Sequence, residues 1–177
     1  MLTVNSLSGF GSRATFATVV IPGASDWQDI DSDLTFGTGV LDASSGNGAG
    51  RTVATFDGDF DIQFTITSET NMSFGIYPSS EDGTYNQAEG NGLLGNMTNS
   101  WRYNGGDDTI YWKTTAKATS VSFSGGDVFH ITRVGSTIEF LIGGSSQHEF
   151  SETSSAELRF TMGIGGAVNI DDIQWTL

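Results

Sequence analysis

The amino-acid sequence predicts an all-β chain folded as a two-sheet antiparallel sandwich, a jelly roll of about ten or more strands with no substantial helix. Three observations lead there. Several segments alternate apolar and polar residues with a period of two, which sets one face of each on a core and the other toward solvent. The 24 glycines supply turns, and 12 phenylalanines with many Thr, Val and Ile residues favour strands. No stretch sustains the 3.6-residue period of an amphipathic helix. A chain of 177 residues is long enough for one such core and too short for two, so residues 23–177 read as one sandwich domain.

Residues 1–22 read either as a first edge strand or as an N-terminal arm that adds a strand elsewhere, because Pro22 and the polar run Gly23 to Gln28 follow Ala14 to Ile21. Short strands are predicted over Leu34 to Leu41 and Arg51 to Phe56. Phe60, Ile62, Phe64 and Ile66 alternate with Asp61, Gln63 and Thr65 as a half-buried strand. Met72 to Tyr77 is the next strand. A long connection rich in Gly, Asn and Ser then runs from Ser79 to Asp108, and connections of that length in compact domains are usually functional or disordered. Further strands are predicted at Thr109 to Thr114 and Ser120 to Phe123.

The clearest local signal begins at Asp127. Phe129 and Ile131 alternate with His130 and Thr132, Gly135-Ser136 interrupts, and Ile138, Phe140 and Ile142 resume the alternation. A glycine first in a two-residue loop suits a type II′ turn, which sets Val134 opposite Thr137 and Arg133 opposite Ile138. That register puts Ile131 against Phe140 and Phe129 against Ile142 on one face, and Thr132 against Glu139 on the other. Leu158, Phe160, Met162 and Ile164 form another half-buried strand. In Val168 to Leu177 the apolar parity changes between Ile170 and Ile173, which a bulge at Asp171-Asp172 reconciles.

A formal charge of −14, from 21 acidic residues against seven Lys and Arg, makes the surface repel phosphate backbones, so nucleic acid is not an expected partner. The absence of cysteine removes disulfides and thiol chemistry. Met1 to Arg13 has neither a basic leader nor an apolar run of about seven residues, so neither an export signal nor membrane insertion is expected.

Four segments then carry a resemblance. Gly58-Asp59-Phe60-Asp61-Ile62 follows a polar turn, Gly75-Ile76-Tyr77 lies in the next strand, Phe129 to Phe140 is the hairpin, and Ile170-Asp171-Asp172-Ile173-Gln174-Trp175 closes the chain. Together they resemble the concanavalin A-like lectin and glucanase superfamily, particularly its laminin-G-like branch, over roughly four fifths of the chain. The resemblance implies two facing sheets that bind glycans or protein partners, sometimes with calcium near the loop rim. The glucanases of that superfamily share a strand motif of two glutamates around an aspartate, which this sequence lacks. Glu149 and Glu152 have the wrong spacing to share a strand face.

Tyr77, Tyr85, Trp101, Tyr103 and Trp112 gather in and around the long connection among Asn and Asp residues. Sugars stack their C–H faces on aromatic rings and pair their hydroxyls with amides and carboxylates, so these five are the candidate ligand residues, for glycan or protein. Asp57, Asp59 and Asp61 recur every second residue at the start of a strand and are the candidate calcium ligands, since hard cations take several oxygens. Asp29, Asp31 and Asp33 repeat the spacing, and solvent-facing Asp on a strand explains both runs without metal. No other cofactor and no catalytic residues are expected. Only His130 and His148 are available as bases, and neither adjoins a nucleophile elbow.

The leading expectation is a non-catalytic surface or assembly module, a viral or phage virion protein such as a capsid decoration or fibre component. It would contact other virion subunits, or further copies of itself, through the N-terminal arm, at the virion surface. The alternative is an extracellular lectin-like carbohydrate-binding domain, with or without calcium, and the third reading is a glycoside hydrolase.

Overall fold

The computed structural model describes residues 18–32, 34–43, 47–67, 72–86 and 99–177. Their strands, in chain order, are β1 (Val19–Val20), β2 (Trp27–Gln28), β3 (Leu34–Phe36), β4 (Leu41–Ala43), β5 (Gly48–Thr52), β6 (Phe60–Ile66), β7 (Met72–Pro78), β8 (Trp101–Asn104), β9 (Thr109–Trp112), β10 (Thr115–Ala118), β11 (Val128–Val134), β12 (Thr137–Ile142), β13 (Ser145–Glu149), β14 (Leu158–Ile164) and β15 (Val168–Thr176). All pairings are antiparallel. An eight-stranded sheet runs β13-β12-β11-β6-β15-β4-β3, with β1 also on β15, and a seven-stranded sheet runs β10-β9-β8-β7-β14-β5-β2. Two sheets face each other as a jelly-roll sandwich, and the helical content among the described residues is two short 3-10 turns, Ala24–Asp26 and Ser79–Thr84.

The core is aromatic. Phe64 of the first sheet meets Phe74 of the second edge-on at 4.7 Å, and Phe129 and Phe160 close around them at 5.1 Å from Phe74 and 5.7 Å from Phe64. Each fully buried Phe removes enough apolar surface from water to stabilise the fold by about 1.5–3 kcal/mol. Gly50 lets the sheets approach at the β5 end: a Cβ there would stand 2.5 Å from the Phe36 ring.

The hairpin of β11 and β12 has the expected register at all six pairs, from Val134 opposite Thr137 to Phe129 opposite Ile142. Gly135 takes φ +62°, as the first position of a II′ turn requires. The bulge in β15 also forms, one residue later than expected. Asp171 pairs with Thr65 and Gln174 with Gln63, so Asp172 and Ile173 share the place opposite Phe64, and Asp172 has φ +53°.

Other expectations need correction. Leu34 to Leu41 is the hairpin of β3 and β4, because the chain reverses between Gly37 and Val40, where the Gly37 amide donates to the Val40 carbonyl at 2.9 Å. The strand expected at Arg51 to Phe56 lies earlier, at Gly48–Thr52, and Phe56 makes an isolated bridge to Leu158. Ser120 to Phe123 is not a strand, and Thr115–Ala118 is one instead. The Ser79 to Asp108 connection is not a single loop, since it contains a 3-10 turn and β8. Phe60–Ile66 alternates buried and half-buried as expected, whereas β14 is buried on both faces at Thr161 and Gly163, and β7 is buried throughout. At the N-terminal end, Val19 and Val20 pair with Thr176 and Trp175 of the chain's own β15, which ties these residues into the sandwich. Residues 1–17, most of the expected arm, lie outside the described residues.

Candidate functional site

The outer face of the seven-stranded sheet collects most of the chain's arginines. Period-two alternation sends Phe74, Ile76, Trp101, Tyr103, Ile110, Phe160 and Met162 into the core, and their sequence neighbours therefore point the other way. Cross-strand register then lines up Gln28, Arg51, Thr161, Gly75, Arg102 and Tyr111 in one transverse row, with Arg159 opposite Tyr77 in the next.

At the β5 end of that row the side chains form a closed network. Arg51 Nε donates to Asp29 Oδ2 at 2.6 Å, and its Nη1 donates to the Tyr77 hydroxyl at 3.0 Å and lies 2.6 Å from Asp82 Oδ1. Tyr77 donates in turn to Asp82 Oδ1 at 3.1 Å. Arg159 Nε donates to both oxygens of Asp82, at 2.9 and 2.7 Å, and its Nη1 donates to the carbonyls of Thr52 and Val53. The 3-10 turn that carries Asp82 is thus clamped to β5 and β14. Tyr85 stacks on Tyr77 with centroids 6.2 Å apart, and its ring lies 4.6 Å from Arg51 Cζ. The Thr161 hydroxyl donates to the Gly50 carbonyl at 2.8 Å and receives the Tyr85 hydroxyl at 3.4 Å.

Burial pushes the phenols of Tyr77 and Tyr85 upward, so both stay protonated donors. Burial also acts to lower Arg51, but the Tyr77 oxygen and the Asp29 and Asp82 carboxylates outweigh it and raise the guanidinium above its ordinary value.

The other end of the row is built differently. The Arg102 guanidinium lies over the Tyr111 ring, 4.3 Å from Cζ to centroid, and the Tyr111 hydroxyl donates to Asp107 Oδ2 at 2.5 Å.

The five aromatic candidates do not form one platform. Tyr77 and Tyr85 come together on the outer face, Tyr77 fully buried and Tyr85 half-buried. Trp101 and Trp112 come together at 4.5 Å on the inner face, where Trp101 Nε1 donates to the Glu152 carbonyl at 2.9 Å. Tyr103 is a core residue against Phe74, and its hydroxyl donates to Asp108. Tyr77, Trp101 and Tyr103 are 0%, 2% and 1% exposed, which withdraws their ring faces from any ligand. Arg51, Asp82, Arg102, Tyr111 and Arg159 were not singled out from sequence. A signal existed: in a chain with seven basic residues, arginines at alternate positions of strands need a partner or a purpose.

The three candidate calcium ligands diverge. Asp59 Oδ1 accepts the Gly135 amide at 2.6 Å, and the Asp61 carboxylate faces His130 Nδ1 at 2.9 and 3.2 Å. Asp57 is exposed on the rim of a cleft of about 700 Å³ shared with Val134 and Leu177. Among the described residues no three His, Asp or Glu side chains converge to hold a cation. In the second Asp run, Asp29 pairs with Arg51, and Asp33 lies outside the described residues.

No protein-family model matches this chain, and no curated protein matches it in sequence. Solved structures do match its fold. The metal-free carbohydrate recognition domain of Emp46p superposes with a TM-score of 0.64 at 11% identity, over 86% of this chain and 88% of that one. The SPRY domain of human HERC1 gives 0.53 at 16% identity, over 84% and 94%, and a native glycosidic hydrolase gives 0.53 at 10% identity, over 91% and 95%. The chain therefore has the concanavalin A-like jelly-roll fold. At these identities the likeness is one of fold, which lectins, SPRY domains and hydrolases share.

Proposed function

We propose that this chain is a non-catalytic carbohydrate-binding module that receives saccharide on the outer face of its seven-stranded sheet. One observation carries the reading: that face holds tyrosines, guanidinium groups and carboxylates in two fixed clusters, the hydrogen-bonded network of Arg51, Asp82 and Arg159 beside the Tyr85 ring and the set of Arg102, Tyr111 and Asp107, the mixture of apolar rings and rigid donors and acceptors that sugars require. The Emp46p domain is a carbohydrate recognition domain, which supports the assignment by analogy of fold.

The non-catalytic half rests on charge pairing. Glycoside hydrolysis needs two carboxylates free to play acid and base or nucleophile, and here Asp29 and Asp82 each sit on guanidinium groups. The virion-assembly reading draws no support from the lectin, SPRY and hydrolase neighbours, and ranks below saccharide binding.

A glycan array probed with the full chain, with and without chelator, tests the proposal. Binding is expected to persist in chelator and to weaken in Tyr85→Ala and Tyr111→Ala. Silence across the array in both conditions would sink it. Turnover of a β-glucan would overturn the non-catalytic half.

A further inference from the structure

The guanidinium groups on the outer face of the seven-stranded sheet differ in one respect. Arg51 and Arg159 both meet Asp82. Arg102 is as deeply placed, 9% exposed, yet its Nε has no hydrogen-bond partner, and among the described residues no carboxylate lies within ion-pair distance of it. The nearby carboxylate of Asp107 is occupied by the Tyr111 hydroxyl.

A ring face attracts a cation, but it takes up none of the in-plane N–H donors of a guanidinium. A buried charged donor left unpaired is among the costlier features a fold can carry, and buried polar groups in native proteins are nearly always paired. Burial correspondingly lowers the basicity of Arg102, with Tyr111 and Asp107 only partly offsetting it. Gly75, its cross-strand partner in β7, contributes no side chain to the outer face beside it.

We infer that Arg102, stacked on Tyr111, is the anchor for the carboxylate of an acidic sugar, a uronic acid in chemical class. A guanidinium offers a carboxylate two parallel N–H donors, and because Nε is enclosed by the fold, the two Nη groups, which make no hydrogen bond among the described residues, are the pair left to do so. The net charge of −14 selects against polyanions, which the whole surface repels, and leaves a ligand with a single charge. The sugar half of the inference rests on the saccharide reading above, whereas the carboxylate half rests on Arg102 alone.

The experiment is a titration of the full chain followed through the arginine Nε–Hε resonances in a nitrogen–proton correlation spectrum. The Arg102 signal is identified by its loss in Arg102→Lys. Glucuronate, glucose and acetate are the probes. Glucuronate is expected to move the Arg102 resonance and to bind about tenfold or more tightly than glucose, as one charge-assisted pair allows. Arg102→Gln is expected to reduce glucuronate to the affinity of glucose.

Failure of both glucuronate and acetate to move the resonance would overturn the inference, using wild-type protein alone and independently of how any variant folds. Retention of the glucuronate preference in Arg102→Gln would also overturn it. Binding of neutral glycans without a glucuronate preference rejects the anchor and leaves the saccharide reading standing. Equal affinity for acetate and glucuronate rejects the sugar half and counts against the saccharide reading as well.

Discussion

The carboxylate of Asp82 receives Arg159 Nε on both of its oxygens, at 2.9 and 2.7 Å, although the two residues are 77 positions apart in the chain. Asp82 also faces Arg51, so one carboxylate on a short 3-10 turn is shared by two guanidinium groups on neighbouring strands. Asp82→Asn keeps the shape and removes the charge, leaving both cations facing an amide. With Asp82 29% exposed, water recovers part of the loss, and the expected destabilisation is about 1–3 kcal/mol. Urea unfolding reads it as a lower midpoint at unchanged slope.

Arg133 is the reverse case, a guanidinium satisfied without any carboxylate. It is 1% exposed and donates from Nε to the Gly58 carbonyl, from Nη1 to Ala156 and from Nη2 to Phe56. Arg133→Met retains the bulk and removes three donors, leaving the Gly58 and Ala156 carbonyls without theirs while Phe56 keeps the Leu158 amide, and a loss of about 2–5 kcal/mol is expected. Arg133→Lys does not restore it, because a single ammonium cannot span three acceptors set around a planar fork. Thermal unfolding of both variants checks the point.

Asp172 sits at φ +53° in the β15 bulge, a conformation open to Gly, Asn and Asp and costly for β-branched residues. Asp172→Gly is expected to be near neutral, and Asp172→Val to cost about 1–2 kcal/mol. Equal stability of the two would mean that the bulge shifts when substituted.

Lys117 touches Glu152 and lies near His148. Its hydrogen bond holds the Glu152 carboxyl below the ordinary range, while burial first and the Lys117 charge second depress His148. In Lys117→Met both groups are therefore expected to titrate at higher pH, which side-chain NMR titration measures. The sign for stability is the same for both. Each folded pKa lies below its unfolded value, so the contribution is fully present above about 6.5 for the histidine and about 4.5 for the glutamate, and is lost as pH falls through the folded values. The wild type should therefore lose more stability than Lys117→Met on acidification.

The hairpin was legible to the residue because Gly135-Ser136 admits few turns and the alternation on both sides allows one register. The bulge was legible as a change of parity, but parity fixes only that one extra residue exists. It does not say whether Asp171-Asp172 or Asp172-Ile173 carries it. Trp101-Arg102-Tyr103-Asn104 alternates as well as any strand, and its aromatic content disguised it as a binding loop. Ser120 to Phe123 failed because Ser120 takes φ +60° and Val121 turns inward to the core. The arginine clusters depend on pairs such as Arg51 with Tyr77 and Arg159 with Thr52, joined by strands distant in sequence. Alternation places a side chain on a face, and sheet order decides whom it meets there.

That order has a kinetic consequence. The central members of both sheets, β14 between β7 and β5 and β15 between β6 and β4, are the last to be made. As the chain leaves the ribosome, the early strands cannot join the rest until residues 158–176 have emerged. Until then β4, β5, β6 and β7 each present an open hydrogen-bonding edge. Folding must be late and slow, governed by contacts far apart in sequence. A chain stopped before Leu158 would hold most of its aromatic residues and no way to close them in, and it is the species most prone to aggregate.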